Sequence, residues 1–206
     1  TELEDVSEPE AAELAVIGGS SIKLELFPNL RGLFKCGIGR DNVPEKECSR
    51  RNIEVCFPSA KTRGYIYDET ANFTVYLILS MLYSEIGSLK RWEKKPRTFL
   101  GRKNVLLIGL GNIGSRVHER LNHFVVVSSY DIITNQPEEL RALLSQADVV
   151  SLHIPLTEGT CGFIDQERLS WMKDGAALVN TARGPIVDEE ALLAELKSKR
   201  LRAAFD

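Results

Sequence analysis

Short apolar runs alternate with amphipathic stretches along the chain, and the alternation is clearest in its second half. Apolar runs there predict β-strands at residues 104–108, 124–128, 149–153, 176–180 and 201–205. Stretches with apolar residues every three or four positions predict helices between them, at 113–121, 137–145, 166–172 and 189–197. Strands as continuously apolar as VLLI at 105–108 are typical of a sheet covered on both faces. This half therefore predicts a doubly wound parallel sheet of the Rossmann type.

The first half carries a shorter version of the same alternation. Strands are predicted at 14–17, 30–35 and 53–57, with helices at 21–26 and 44–51. Residues 8–13 are typical of a helix end with no strand before it, so we expect this domain to begin in mid-unit. A long helix is predicted at 70–92, followed by a polar stretch with a proline at 94–97. We expect two α/β domains: a smaller, flavodoxin-like, partial substrate domain with an interdomain helix (1–92), and a cofactor domain (93–206) truncated at its C-terminal side.

Composition narrows the class of protein without identifying it. Hydrophobic residues make up 43% of the chain, charged residues 27%, and the net charge is −3, which gives no electrostatic reason to expect nucleic acid or an acidic membrane as partner. The first ten residues carry five acids and no base, unlike a secretory signal. The apolar stretch at 73–83 is too short to span a bilayer. Four scattered cysteines without a C-x-x-C pair predict a reduced, cytoplasmic protein with no structural metal site.

A glycine motif stands where the first strand of the second half ends. Residues 109–114 read GLGNIG, which matches G-x-G-x-x-G between an apolar strand and an amphipathic helix. Gly109 would allow the tight turn, Gly111 would let a pyrophosphate approach the backbone, and Gly114 would let helix and strand pack closely. The amides of Asn112 and Ile113 would point at the phosphates. The alternative is a glycine-rich turn that merely connects the two elements.

An acidic residue follows at the spacing that a dinucleotide site requires. Asp131 stands twenty residues past Gly111, at the end of the second strand, where a carboxylate can accept hydrogen bonds from the adenosine ribose. The same carboxylate would repel a 2′-phosphate, and Ile132 and Ile133 follow it rather than an arginine. These residues favour NAD over NADP as the cofactor. The alternative is a solvated aspartate at a strand end.

Three further segments carry a resemblance to a known family. LHIPLT at 152–157, NTARG at 180–184 and VDEEAL at 187–192 are similar to signatures of the D-isomer-specific 2-hydroxyacid dehydrogenases, and the chain looks phosphoglycerate dehydrogenase-like. The resemblance covers residues 30–206 and is densest from residue 104. It implies an NAD-dependent oxidoreductase, usually a homodimer, that transfers hydride to or from a small D-2-hydroxy or 2-keto acid. Phosphoglycerate, glycerate or hydroxypyruvate, and D-lactate are the substrate types.

The resemblance also implies roles for individual positions. Arg183 corresponds to the catalytic arginine that binds the substrate carboxylate and polarises the reacting carbonyl, and a planar guanidinium suits that task. Asp206 corresponds to the aspartate beside the nicotinamide carboxamide. The remaining cofactor positions are His153, Ile154, Pro155, Thr181 and Ala182, together with Arg183. A loop similar to CGIG at 36–39 cradles the substrate carboxylate in the family, which assigns Gly37, Ile38 and Gly39 to substrate binding, although G-x-G could be an ordinary turn.

Two departures from the family leave questions open. Many members have an alanine–glutamate pair where this chain has Ala71-Asn72, and residues 61–69 match poorly, so substrate preference is unreadable there. Binding of a phosphorylated substrate would require further basic residues in the cleft. Arg40, Lys61 and Arg63 are candidates, although each is better explained as a solvated surface charge.

The family's catalytic histidine and its orienting glutamate would lie beyond Asp206. His118, His123 and His153 do not replace that base, because the first two suit surface or helix-end positions and the third belongs to the LHIPLT segment. We therefore expect an incomplete piece of a longer protein that by itself binds NAD poorly and catalyses nothing.

A corepressor-like, non-catalytic NAD(H) sensor on the same scaffold stays open as an alternative function, because such proteins keep the arginine. Chemistry like that of adenosylhomocysteine hydrolase ranks lower, since its substrate domain is much larger.

Overall fold

The computed structural model describes residues 7–83 and 98–206. The chain divides into two compact units, Thr1–Ile66 and Tyr67–Asp206. Each unit contains a parallel sheet with helices packed against it, which confirms the predicted α/β class with parallel sheets.

The first unit contains a three-stranded parallel sheet in the order β1-β2-β3. Its elements are β1 (Leu14–Ile17), β2 (Gly32–Lys35), α1 (Glu45–Arg50) and β3 (Glu54–Cys56). A long helix, α2 (Ala60–Leu82), follows β3.

The two faces of this sheet have different surroundings. Ile17 and Leu33 face a buried cluster with Leu24, Val43 and Cys48. The alternate positions of the same strands carry apolar side chains that are exposed to solvent, namely Leu14 (59%), Val16 (69%) and Phe34 (40%). Within the 206-residue chain, this face of the sheet is therefore open and apolar.

The second unit contains a five-stranded parallel sheet in the order β5-β4-β6-β7-β8. The strands are β4 (Asn104–Ile108), β5 (Val126–Tyr130), β6 (Val149–Leu152), β7 (Ala177–Asn180) and β8 (Arg202–Phe205). The helices between them are α3 (Gly114–Leu121), α4 (Pro137–Gln146), α5 (Gln166–Trp171) and α6 (Glu189–Lys197). The chain runs from β4 outward to β5 and then back across to β6, so the winding reverses between β4 and β6.

Helices cover both faces of the second sheet, as the apolar strands predict. On one face, α4, α5 and α6 pack on a core with Leu106, Leu152 and Leu178. On the other face, α3 and the part of α2 from Tyr67 onward pack on Val105, Leu107 and their neighbours. This doubly wound arrangement is as predicted, and a ligand of such a sheet binds at the strand carboxyl ends, where the winding reverses.

The start of the long helix was predicted wrongly. We expected it at residue 70, but α2 begins at Ala60. The hydroxyl of Ser59 accepts a hydrogen bond from the Thr62 amide at 3.2 Å, as an N-cap side chain does. Residues 61–69 read KTRGYIYDE, and none of them is buried, so this part of the helix has no buried apolar face by which a sequence pattern could reveal it. The predicted residues 84–92 of this helix lie outside the described residues.

Other boundaries also differ from expectation. Residues 9–11 and 24–26 form single 3₁₀ turns where longer helical segments were predicted. The strand predicted at 124–128 begins at Val126 instead. The amides of Phe124 and Val125 donate to the Leu121 carbonyl at the end of α3, at 2.8 and 3.2 Å, and the Val126 amide is the first to join the sheet, through Lys103. Apolar character alone did not distinguish the turn from the strand.

The division between the units falls at Ile66, inside α2. The predicted domain boundary, between residues 92 and 93, lies outside the described residues. The assignment of residues 1–92 and 93–206 to separate domains therefore stays a prediction.

Candidate functional site

Five of the residues singled out in the sequence follow the ends of the five strands. The register of the second sheet places Tyr130, Ile108, Leu152, Asn180 and Phe205 level with one another, from β5 to β8. The next residue of each strand is Asp131, Gly109, His153, Thr181 and Asp206, respectively. The fold therefore brings these positions together along the carboxyl edge of one sheet.

Two glycines of the 109–114 loop are required by close packing. Gly109 has a φ of +98°, and a Cβ there would lie 2.8 Å from the His153 carbonyl oxygen. A Cβ at Gly114 would overlap the carbonyl oxygen of Gly109. Gly111 differs, since a Cβ there would meet nothing within 4 Å. The loop thus packs tightly against the end of β6 and leaves open space beside Gly111.

The backbone amides at the start of α3 follow Gly111 directly along the chain. Ile113 caps the helix without a side-chain hydrogen bond, and no acceptor for the amides of Asn112 and Ile113 exists within residues 7–83 and 98–206. Amides at a helix start carry partial positive charge and bind anions. The room beside Gly111 and the amides without acceptors fit a pyrophosphate, so the residues present suit a dinucleotide.

Asp131 lies beside the same loop. Its Oδ2 accepts a hydrogen bond from the Leu110 amide at 3.1 Å, and its Oδ1 accepts one from the Ile133 amide at 3.0 Å. An ionised carboxylate offers about four acceptor positions, so two amide bonds leave capacity for hydroxyl donors. The geometry fits a ribose diol at this edge.

His153 is an uncharged side chain at the point where the winding reverses. Its Nε2 lies 3.0 Å from the Ser151 hydroxyl, and its amide donates to the Ile108 carbonyl at 2.8 Å. Although the residue keeps some exposed surface, its ring is enclosed by protein, and burial lowers the pKa of the imidazole from 6.5 to about 4. The imidazole is therefore neutral near pH 7, and its Cβ side packs against Gly114.

The turn that carries Arg183 is held by Asn180. This buried asparagine donates from Nδ2 to the Arg183 carbonyl at 2.8 Å, and its Oδ1 accepts from the Ala182 amide at 2.9 Å. The Arg183 guanidinium donates to the Ala182 carbonyl at 2.7 Å, and the residue is half buried. The cation therefore stands just past the carboxyl end of β7.

Thr74, for which no role was predicted, contacts the predicted site residue Thr181. It lies in α2, is fully buried, and its hydroxyl oxygen lies 2.8 Å from that of Thr181. The only signal for it in the sequence is a hydroxyl residue that interrupts the apolar run 73–83. Its partner lies 107 positions away along the chain, which no local pattern reveals.

Asn72, where the chain departs from the family pattern, contacts α3. Its Oδ1 accepts a hydrogen bond from Arg120 Nε at 2.9 Å. Asp68, one turn earlier in α2, forms ion pairs with Arg116 at 3.1 Å and with Arg120 at 2.8 Å. An aspartate and an amide thus face the two arginines of α3.

The predicted substrate loop lies in the first unit. Gly37, Ile38 and Gly39 are half buried and follow β2. The buried Lys35 ammonium donates to the Gly18 carbonyl, and the Asn42 amide group donates to the carbonyls of Gly18 and Ser20 at 3.0 and 2.8 Å. These bonds tie the loop after β1 to the loop after β2.

The three basic candidates for binding a phosphorylated substrate have different surroundings. Arg40 lies over the Phe57 ring at 4.0 Å and pairs with Glu45 at 2.7 Å. Lys61 and Arg63 lie in the first turn of α2, where Lys61 is exposed. Arg40 is therefore already engaged by an aromatic ring and a carboxylate.

Residues 7–83 and 98–206 lack two kinds of feature. No helix in that part of the chain has the length and apolar character needed to cross a membrane. No group of three or more His, Cys, Asp or Glu side chains there could hold a metal ion.

Comparison with known proteins gives consistent matches. The model of the family described as "D-isomer specific 2-hydroxyacid dehydrogenase, NAD binding domain" matches residues 83–206. A glyoxylate reductase from Thermofilum pendens is 36% identical over 84% of this chain and 57% of its own length. A hydroxypyruvate reductase from Thermotoga maritima is 35% identical over 95% of this chain and 68% of its own length.

A solved structure agrees with these matches. The D-lactate dehydrogenase from Aquifex aeolicus, complexed with NAD and lactic acid, superposes with a TM-score of 0.79 at 28% identity, over 97% of this chain and 65% of the other. The chain thus spans between 57% and 68% of the length of these relatives.

Proposed function

The chain belongs to the D-isomer specific 2-hydroxyacid dehydrogenases, and on that premise we propose that the protein transfers hydride between NAD(H) and a small D-2-hydroxy or 2-keto acid. The model of the family's NAD-binding domain matches residues 83–206. The observation that carries the proposal is the row Asp131, Gly109, His153, Thr181 and Asp206 along one sheet edge. Bound NAD supplies the hydride chemistry, and the protein supplies binding, orientation and charge.

The loop at 109–114 holds the pyrophosphate in this proposal. The amides of Asn112 and Ile113 donate to its oxygens, and the open space at Gly111 admits them. Asp131 accepts hydrogen bonds from the adenosine ribose, and its charge disfavours a 2′-phosphate. Ile154, Pro155 and Ala182 belong to the neighbouring turns and line the cofactor.

Arg183 binds the substrate carboxylate and polarises the reacting carbonyl. A guanidinium is permanently charged and presents planar N–H donors that match a carboxylate. Its turn is fixed by the buried Asn180, so the cation is held in place before the substrate arrives. Gly37, Ile38 and Gly39 are the backbone contacts proposed for the same carboxylate.

Turnover of 2-keto acids tests the reaction. Full-length protein is mixed with NADH and, in turn, with glyoxylate, hydroxypyruvate, pyruvate and phosphohydroxypyruvate, and NADH oxidation is followed by absorbance. We expect turnover with at least one of them and a fall in kcat/KM of roughly a thousandfold or more in Arg183→Ala. Arg183→Lys keeps the charge without the planar donors and serves as the matched control. Absence of turnover with saturable NADH binding would favour the non-catalytic NAD(H) sensor instead.

The assembly and the compartment are also proposals. We expect a homodimer, and Phe73 and Tyr76 support it, because these stacked aromatic side chains of α2 are exposed, at 42% and 63%. Sedimentation of the full-length protein, with a Phe73→Ser/Tyr76→Ser variant beside it, tests this. We expect a cytoplasmic protein, since all four cysteines are free.

A further inference from the structure

Two threonine hydroxyls join α2 to the carboxyl end of β7. The oxygen of the buried Thr74 lies 2.8 Å from the Thr181 hydroxyl oxygen and 2.8 Å from the Thr70 carbonyl oxygen. Ala71, Ile78 and Val179 belong to the apolar cluster on this face of the sheet. A hydroxyl in such surroundings costs free energy unless its hydrogen-bonding capacity is used, so the direction of these two bonds matters.

The direction follows from counting protons. Each threonine hydroxyl has one proton and two lone pairs, whereas a carbonyl oxygen can only accept. The Thr74 proton therefore goes to the Thr70 carbonyl, and Thr181 donates its own proton to Thr74. The opposite direction would leave two oxygens 2.8 Å apart, Thr74 and the Thr70 carbonyl, with no proton between them. The Thr181 hydroxyl consequently has only lone pairs left for a ligand.

We propose that Thr74 is a positioning residue of the cofactor site, because it takes the Thr181 proton and turns the Thr181 hydroxyl into an acceptor for an N–H donor. In NAD, the group that offers N–H donors next to the redox carbon is the nicotinamide carboxamide. Asp206 adds a carboxylate, also an acceptor, at the next strand end, with its amide bonded to the Asn180 carbonyl at 3.3 Å. This inference rests on the proposed function, which puts the nicotinamide at these strand ends.

Cofactor binding to four variants of the full-length protein tests the inference. Thr74→Val and Thr181→Val remove one hydroxyl each with little change of shape, while Thr74→Ser and Thr181→Ser keep it. Dissociation constants are measured by fluorescence titration for NADH and for its acetylpyridine analogue, in which a methyl ketone replaces the carboxamide and removes the N–H donors. Thermal unfolding is recorded beside each titration.

We expect both valine variants to bind NADH about five- to tenfold more weakly, the loss of roughly one hydrogen bond. Binding of the analogue should change less than about twofold in the same variants, since it has no donor to lose. The serine variants should match wild type. Should Thr74→Val fail to fold, the comparison of Thr181→Val with Thr181→Ser tests the same inference, because Thr181 is only half buried.

Two results would overturn this inference and leave the proposed function standing. In one, Thr74→Val and Thr181→Val bind NADH as wild type does. In the other, NADH and the analogue lose affinity equally, which would indicate a purely structural role for the pair. A wild-type protein with no saturable NADH binding would contradict the proposed function as well, so the two failures are distinguishable.

Discussion

Gly111 and Gly114 stand three residues apart, yet the structure gives them different reasons to be glycine. At Gly114 a methyl group would overlap the Gly109 carbonyl oxygen, so α3 and the loop could not keep their packing. At Gly111 a methyl group would enter empty space. Packing within the fold therefore requires glycine at Gly114, whereas no protein atom would contact a side chain at Gly111.

This difference gives a prediction for two alanine variants. Gly114→Ala should lower the free energy of unfolding by about 1–3 kcal/mol, because overpacking forces the backbone to shift. Gly111→Ala should leave stability nearly unchanged and weaken NADH binding about tenfold or more, because its methyl group stands where a phosphate would lie. Urea unfolding and NADH titration measure the two effects. Equal stability losses in both variants would contradict the packing argument.

His153 makes stability depend on pH. The folded chain binds the imidazole proton less readily than the unfolded chain does, since burial lowers the pKa from 6.5 to about 4. Protonation therefore favours unfolding: this contribution is complete above pH 6.5 and is lost as the pH falls to about 4. Between pH 6.5 and about 4, the unfolding free energy of His153→Gln should therefore change less with pH than that of wild type. The difference should be at most about 3 kcal/mol. Urea unfolding of both proteins across the range checks this, and parallel curves would refute it.

At the scale of elements, Arg200 joins α5 to α6. Its guanidinium donates to the carbonyls of Leu169 and Met172 at the end of α5, both at 2.7 Å, and to Glu195 of α6 at 2.6 Å. The bond with Arg200 is the largest influence that holds the pKa of Glu195 below its ordinary value. One side chain thus satisfies helix-end carbonyls and a carboxylate together.

Removal of this side chain should loosen the two helices. Arg200→Met keeps the aliphatic length but removes the donor to the Met172 carbonyl and to the Glu195 carboxylate, and it leaves the Leu169 carbonyl with the Met172 amide alone. We therefore expect a loss of about 2–3 kcal/mol in unfolding free energy. Urea unfolding measures this loss. Arg102→Met, on an exposed side chain over Phe99, is the matched control. A similar loss in the control would contradict the assignment.

Some helices and strands could be predicted from the sequence, and others could not. The apolar strands and the helices between them were predictable, because both faces of the second sheet are covered and their strands are continuously apolar. The start of α2 was not, since it depends on a cap at Ser59 and on half-buried residues. The strand-end positions of Asp131 and Gly109 were predictable from spacing, whereas the contact of Thr74 with Thr181 was not, because Thr181 comes from a distant strand.

At the scale of the whole 206-residue chain, the first sheet has one open apolar face. Leu33 and Phe34 are adjacent in β2, but Leu33 is 1% exposed and Phe34 is 40% exposed. Exposed apolar surface of this kind promotes association and binds hydrophobic dyes.

Two substitutions in β2 separate burial from exposure. Phe34→Ser should reduce the binding of a hydrophobic dye to the 206-residue chain and leave its unfolding midpoint nearly unchanged. Leu33→Ala should lower the unfolding free energy by about 2–5 kcal/mol, because it leaves a cavity. Dye fluorescence and urea unfolding give the two readings. A large loss of stability in Phe34→Ser would mean that this face is packed in solution.

The common level of the five strand ends has a consequence for how such a protein can change over evolution. Each position of the row Asp131, Gly109, His153, Thr181 and Asp206 comes one residue after the last level strand residue. Exchanges at the exposed Asp206, or at the half-buried Asp131 and Thr181, would alter what the edge recognises and leave the buried strands untouched. A one-residue deletion within a strand would instead shift the residue at its carboxyl end out of line with the other four. It would also turn the strand's side chains to the opposite face of the sheet. New specificities can therefore arise by point substitution far more readily than by insertion or loss.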